Sequence, residues 1–237
     1  MIKKQAKKLP VISITGPTSS GKTGASIALA KYLNKKGVVC EIVSADSRQV
    51  YRGLDLLSGK VTKKEMGKIP HHMLSVVNPK KVYSVSDFKK DAEQAIGAIH
   101  ARGNLPVLVG GTGFYIDAIT KGVVLPEVPP NNTLRKKLEK YSTLKLCETL
   151  KKLDKKRYEK IDTKNRVRLI RAIEIATALG KVPKLETKAK YEVFDVYIDL
   201  PDEILKANIR TRLLERLKAG MIREAKKLHD SGISWKR

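Results

Sequence analysis

Between residues 16 and 23 the chain reads Gly16-Pro17-Thr18-Ser19-Ser20-Gly21-Lys22-Thr23, directly after the apolar run Val11-Ile12-Ser13-Ile14-Thr15. Two glycines, a lysine and a hydroxyl at this spacing, entered from a strand and left by a helix, make a phosphate cradle. The glycines let backbone N–H groups turn inward, and the following helix directs its positive end at the same point. Lys22 adds a point charge, and Thr23 offers a hydroxyl to a Mg²⁺ ion that bridges phosphate oxygens. The pattern predicts phosphate binding. It leaves open whether the phosphates belong to a nucleotide and whether a phosphoryl group moves.

A second apolar run, Val38-Val39-Cys40-Glu41-Ile42-Val43, ends in the polar cluster Ser44-Ala45-Asp46-Ser47-Arg48-Gln49-Val50-Tyr51. Open α/β sheets present their ligand residues at such strand ends. If this strand lies beside the first, Asp46 faces the phosphates and can take a proton from an incoming nucleophile. Capping the turn, or ordering Mg²⁺ through water, are its competing roles. A third run, Leu105 to Val109, ends in Gly110-Gly111-Thr112-Gly113-Phe114-Tyr115. A Walker-type ATPase usually carries an acidic Mg²⁺ ligand at this point. Here the glycines allow close backbone approach and Thr112 supplies a hydroxyl. His71 and His72 are adjacent on a short predicted strand over 70–77, so they cannot share a face. With no Cys or carboxylate cluster beside them, a metal centre is not expected.

The elements that must position these residues alternate. Ala25, Ile27, Ala28, Leu29, Ala30 and Leu33 predict a helix closed by Gly37. Ser84 to Asp87 match a capping box, followed by Phe88, Ala92, Ala95, Ile96 and Ile99 at helical spacing. The proline-rich stretch Leu125 to Asn132 reads as a domain boundary. Residues 131–190 carry 19 basic and 7 acidic side chains, a net +12, on helical periodicity. On the last helix of this stretch, Arg168 and Arg171 are three apart and share a face suited to a phosphate backbone. Val193 to Leu200 reads as a return to the sheet. Pro201-Asp202-Glu203 opens a helix carrying Ile204, Leu205, Ile209, Leu213 and Leu217, and a final helix runs from Met221 to His229. The expected fold is α/β: a P-loop-type parallel sheet flanked by helices, with a basic all-helical insertion. The core spans 1–130 and 191–237, and the insertion spans 131–190.

The formal charge is +25, from 49 Lys and Arg against 24 Asp and Glu. Such an imbalance predicts a polyanionic partner, nucleic acid ahead of membrane, because no strongly amphipathic membrane helix stands out. No apolar stretch is long enough to span a bilayer. The basic opening Met1 to Lys8 lacks the apolar core and cleavage site of a signal peptide. Cys40 and Cys147 are the only cysteines and stand far apart, so a reducing, cytoplasmic setting without disulfides is expected.

Five motifs together, in order, resemble those of the tRNA dimethylallyltransferases, also called tRNA isopentenyltransferases. They are Gly16 to Thr23, Asp46-Ser47-Arg48-Gln49-Val50-Tyr51, Pro70-His71-His72-Met73, Gly110 to Tyr115, and Arg168-Leu169-Ile170-Arg171-Ala172-Ile173-Glu174. The resemblance covers nearly all of the chain from residue 10. It implies transfer of a dimethylallyl group from dimethylallyl diphosphate to the exocyclic amine of the adenine 3′ of a tRNA anticodon. Under it, Asp46 takes the proton from the amine, while Lys22, Mg²⁺ at Thr23 and the backbone amides stabilise the departing diphosphate. Thr112 bonds the diphosphate, and Arg135 adds a cation there or to RNA. Ser47, Arg48 and Gln49 meet the extruded base, and Arg168, Leu169, Ile170 and Arg171 hold the anticodon stem-loop. A monomer is expected. Two departures stand out. Asn208 occupies a position where the family usually has arginine, with Arg210 and Arg212 nearby, and the chain ends at Ser234-Trp235-Lys236-Arg237 where the family continues into a further helical segment. The alternatives are a P-loop small-molecule or nucleoside kinase, which leaves the basic insertion unused, and an inactive RNA-binding remnant.

Overall fold

The computed structural model describes residues 8–235; the basic opening through Lys7 and the final Lys236 and Arg237 lie outside the described residues. The chain begins with β1 (Leu9–Thr15), α1 (Lys22–Lys35), β2 (Cys40–Ser44), α2 (Lys63–Met66), β3 (His71–His72), α3 (Val85–Ala101), β4 (Leu105–Val109), α4 (Gly113–Thr120) and β5 (Val123–Val124). Four helices follow: α5 (Asn132–Glu139), α6 (Thr143–Leu153), α7 (Lys155–Tyr158) and α8 (Arg166–Leu179). The described chain closes with β6 (Glu186–Thr187), β7 (Tyr191–Tyr197), α9 (Asp202–Lys218) and α10 (Met221–Asp230). It forms two compact units, one through Val123 and again from Thr187, the other Val124–Glu186.

In the first unit five parallel strands run in the order β3-β2-β4-β1-β7. Side chains alternate across each strand. Val11, Val43 and Leu108 face a core built with Phe88, Ala92, Ile96 and Ile99 of α3 and Tyr115 and Ile119 of α4. Ile14, Ile42, Val107 and Val109 face the opposite way, onto Ile27 and Ala30 of α1. Burial on both faces explains why the strands read as apolar runs. The expected capping box forms, with Ser84 Oγ accepting from the Asp87 N–H and Asp87 accepting from the Ser84 N–H at 2.9 Å. The long strand expected over 70–77 contracts to two residues. Met73 and Ser75 adopt left-handed φ values of 64° and 54°, which no extended strand accommodates. The apolar residues expected to form a buried face on α9 do not reach full burial: Ile209, Leu213 and Leu217 remain about 40% exposed.

Among the described residues, one charged side chain is buried within the strand layer. Glu41 of β2 is buried and receives Arg102 Nε and Nη2 at 3.0 and 2.8 Å, Asn104 Nδ2 at 2.7 Å and the His72 ring at 2.6 Å. It therefore ties β2 and β3 to the turn between α3 and β4.

The second unit is helical, with Leu138, Leu146, Leu150, Leu169, Ala172 and Ile173 as its core. Its buried acid is Glu174. Glu174 accepts from Arg135 Nε and Nη2 at 2.9 and 2.8 Å and from the Asn131 N–H at 2.6 Å, and it is paired with Arg171. Burial alone would raise both carboxyls. Hydrogen bonds from Arg102, Asn104 and His72 to Glu41, and from Arg135, Asn131 and Arg171 to Glu174, more than offset it and hold each at about 2.

A depressed carboxyl contributes stability in full above its ordinary value near 4.5, and that contribution disappears as the pH falls through about 2. Urea unfolding monitored between pH 5 and pH 2.5 should therefore show a steep acid limb. Glu174→Gln should lower stability at pH 7 by on the order of 2–3 kcal/mol and flatten that limb, because the guanidiniums lose their charged acceptor.

Candidate active site

The carboxyl ends of β1, β2 and β4 converge with α9 on a cavity of about 480 Å³. The loop from Gly16 to Thr23 forms one wall. Gly16 sits at φ 145°, and a Cβ there would meet the Ile198 carbonyl oxygen at 2.4 Å, so only glycine closes the turn against β7's exit. Gly21 caps α1 in the left-handed region, and Ser19 holds φ 63° without being glycine. Two α9 side chains brace that strained residue: Asn208 Nδ2 donates to the Ser19 carbonyl at 3.2 Å, and Arg212 Nη1 donates to its hydroxyl at 3.1 Å. Lys22 Nζ folds back onto the Pro17 carbonyl at 2.5 Å. Burial and, to a lesser extent, Arg212 pull the Lys22 ammonium below its ordinary value, opposed by Asp46. A dianion would relieve both lowering effects.

Asp46 lines the same cavity, by a different route from the one expected. Its strand does not lie beside β1, because β4 runs between them. Asp46 nonetheless reaches the cradle because β4 ends in Gly110 and Gly111. A Cβ on Gly110 would stand 2.1 Å from the Ala45 carbonyl oxygen, and one on Gly111 would stand 4.0 Å from Lys22 Nζ. Asp46 Oδ1 accepts from the Arg48 and Gln49 N–H groups at 2.8 and 3.2 Å, so the turn-capping role is real. Oδ2 has no hydrogen bond among the described residues, which leaves one oxygen for a proton. Gln49 lines the cavity, whereas Ser47 and the exposed Arg48 do not.

Thr112, expected to contact the diphosphate, is absent from the lining. Its Oγ1 accepts from the Ser47 N–H at 3.0 Å and its own N–H donates to the Ala45 carbonyl at 3.3 Å, so it clamps the residues flanking Asp46. Arg135 and Arg171 are committed within the second unit to Glu174, and Arg171 also donates to the Val128 carbonyl at 2.8 Å. Leu169 is fully buried in that unit's core and Ile170 packs against it, which turns both side chains from an RNA surface to structural roles. Arg168 is exposed and unpaired among the described residues.

Several lining residues carried no sequence signal of their own. Arg212, and not Arg210, faces the cavity, together with Asn208, Thr211 and Glu215. The four-residue spacing of Asn208 and Arg212 on a helix next to the cradle was the available clue. The histidine pair splits across the strand: His72 turns to Glu41, and His71 joins the cavity wall with Nδ1 on the Ile69 carbonyl at 2.8 Å. His71 Nε2 is buried without a partner among the described residues. The Thr23 hydroxyl also lines the cavity without a protein partner among them. The Thr23 hydroxyl is a hard oxygen donor suited to Mg²⁺. No group of three or more His, Cys, Asp or Glu side chains could hold a metal among the described residues, so ligand phosphates and water would have to complete its shell.

A family model described as IPP transferase matches residues 49–236, and another described as isopentenyl transferase matches residues 9–77. A Leuconostoc mesenteroides protein named tRNA dimethylallyltransferase is 40% identical over 222 residues, covering 94% of this chain and 73% of that one. The crystal structure of a full-length tRNA isopentenylpyrophosphate transferase from Bacillus halodurans is similar with a TM-score of 0.65 at 36% identity, over 97% of this chain and 72% of that one. A eukaryotic dimethylallyltransferase acting on tRNA gives a TM-score of 0.80 at 27% identity, over 94% of this chain and 56% of that one.

The cradle geometry makes a direct prediction for inorganic pyrophosphate. Lys22→Ala should weaken its binding, measured by calorimetry, by at least about tenfold through loss of a charged contact. The melting temperature of the ligand-free variant should change little, since Lys22 is bonded there only to its own loop.

Proposed function

Because the chain belongs to the IPP transferase family, the family of tRNA dimethylallyltransferases, we propose that it moves a dimethylallyl group from dimethylallyl diphosphate to an adenine of tRNA and releases diphosphate. The observation that carries this reading is the meeting of two opposed functions in one cavity. A cationic phosphate cradle with Lys22 and Arg212 and the Asp46 carboxylate line the same cavity, together with the side-chain-free Gly110 and Gly111.

The acceptor is the exocyclic amine of the adenine 3′ of the anticodon. As its nitrogen forms a bond to C1 of the allylic group, the bond from C1 to the diphosphate oxygen breaks and the electron pair leaves with the diphosphate. The amine proton passes to Asp46 Oδ2, supported by that oxygen's lack of any other partner among the described residues and by the Oδ1 bonds that fix the carboxylate. Lys22, Arg212 and the cradle's N–H groups stabilise the charge that grows on the leaving group. Mg²⁺, held by Thr23 and the phosphates, supplies further charge neutralisation when bound. No phosphoryl group moves in this reaction, and the relatives named above are prenyl transferases, which supports this reading over a kinase.

The tRNA must give up a stacked base, which costs roughly a few kcal/mol. Contacts to the RNA backbone offset that cost, and the residues offered for them are Arg168 and the lysines of the second unit, whose charges are not spent on Glu174. Arg48 and Gln49, following Asp46, meet the base and its neighbours. No described helix is long and apolar enough to cross a membrane, and the reading puts the protein in the cytoplasm with its tRNA.

Labelled dimethylallyl diphosphate or ATP, incubated with the protein with and without unmodified tRNA, tests the reading. Label should pass from the prenyl donor to tRNA; ATP-dependent phosphorylation of a small molecule would sink it. Asp46→Asn keeps an oxygen for the Arg48 and Gln49 N–H groups, so tRNA binding should persist while transfer falls by roughly 10²–10⁴-fold. Transfer within tenfold of the native rate in that variant would leave Asp46 as a turn cap only.

A further inference from the structure

Asn208, Arg212 and Arg216 follow one another at four-residue spacing on α9 and so share one face of the helix. Asn208 and Arg212 hold Ser19 of the cradle, as described above. Arg216, one turn on, has no comparable anchor. Its Nη1 reaches the Leu56 carbonyl at 3.4 Å, at the limit of a hydrogen bond, and its Nε reaches the Arg212 carbonyl at 3.1 Å.

The two guanidiniums converge on Gly59, a residue of the cavity wall; Arg212 itself lines the cavity, and Arg216 stands behind Gly59 and reaches an anion only at that rim. A Cβ on Gly59 would lie 3.1 Å from Arg216 Nη1 and 3.2 Å from Arg212 Nη2. Neither has a carboxylate partner, since every arginine ion pair among the described residues belongs to Arg102, Arg135 or Arg171. Glu215 lines the cavity and pairs with neither. Glu224 is near in the fold, but its two oxygens accept from the Leu56 and Leu57 N–H groups at 2.9 Å each, which fixes the backbone under Arg216. Partial burial and the neighbouring Arg212 both work against Arg216's charge. Two like charges held together without a counterion cost free energy in the empty protein, and an anion between them removes that cost.

We propose that Arg216 is a second arginine of the diphosphate site, acting with Arg212 on the donor's diphosphate. The residue one turn before Arg212 on this face is Asn208, which carries no charge. Asn208 serves the cradle's backbone, and the second cation stands one turn after Arg212 instead. The identity of the anion rests on the prenyl-transfer reading; the anion site does not.

Calorimetry with inorganic pyrophosphate and Mg²⁺ on the full chain tests this, with Arg216→Gln, Arg216→Lys and, as a control on the exposed side of α9, Arg210→Gln. Arg216→Gln should weaken binding about tenfold, the loss of one charge-assisted contact. Arg216→Lys should weaken it less, and Arg210→Gln by under about twofold. The ligand-free melting temperature of Arg216→Gln should equal or exceed the native value, because a repulsion is removed, while its rise on adding pyrophosphate should shrink. In transfer assays the same variant should raise KM for dimethylallyl diphosphate and lower kcat, because the charge on the departing diphosphate grows as the bond to C1 breaks. Unchanged pyrophosphate affinity in Arg216→Gln overturns the proposal. A lowered ligand-free melting temperature with an undiminished pyrophosphate-induced rise overturns it as well, since it marks Arg216 as a support for the Leu56 loop. A native chain that binds pyrophosphate in this Arg216-dependent way yet transfers no prenyl group would refute the function and leave this inference standing.

Discussion

In the first unit two backbones meet where Gly110 at the end of β4 lies against the carbonyl of Ala45 after β2. A single methyl group on residue 110 would fall 2.1 Å from that oxygen and force the two strand ends apart. The cavity depends on this approach, because β4 separates β2 from β1, and a side chain at residue 110 would push away the segment that leads into Asp46. Thr112 completes the arrangement by clamping Ser47 and Ala45, so the turn carrying Asp46 is held from both sides. Absence of side chains at residues 110 and 111 thus lets the turn after β2 and the glycine-rich loop after β1 line one cavity.

The charges of the protein fall into two groups with different physical roles. Some are neutralised in buried pairs: Glu41 with Arg102, and Glu174 with Arg135 and Arg171. These pairs each fix several segments of chain to one carboxylate, and their depressed titration reports how completely the acids are hydrogen-bonded. Others form no ion pair among the described residues, namely Lys22, Arg212 and Arg216; Arg212 works against the charges of both Lys22 and Arg216, and Asp46 offsets it in part at Lys22. Uncompensated charge beside a strained loop is the expected cost of a site organised before its anionic ligand arrives.

The same division separates the two arginine pairs that look alike in sequence. Arg168 and Arg171 lie three apart on α8 and both suggested a grip on RNA, yet Arg171 closes on Glu174 within its own helix while Arg168 stays exposed. Arg212 and Arg216 lie four apart on α9 and converge on a glycine, and no carboxylate among the described residues pairs with either. Spacing brings side chains onto one face; whether a carboxylate waits there is decided by the packing of other segments.

The cradle from Gly16 to Thr23 was legible in the sequence because its function is made by contiguous residues, whose backbone conformation and following helix need nothing distant. The alternation of strands and helices, and the capping box at Ser84, were legible for the same reason, since periodicity and caps are local. The sequence could also state that His71 and His72 must part, because neighbours on a strand point to opposite faces. Tertiary structure alone decided which of Arg210 and Arg212 meets the cradle, that Thr112 braces Asp46 from outside the cavity, that Leu169 is core, and that Arg135 is spent on Glu174. It also decided that Asp46 acts across β4 and not from the strand next to β1. Each of these turns on a contact between segments tens of residues apart, and the strand order and crossovers that create such contacts leave no periodic mark along the chain.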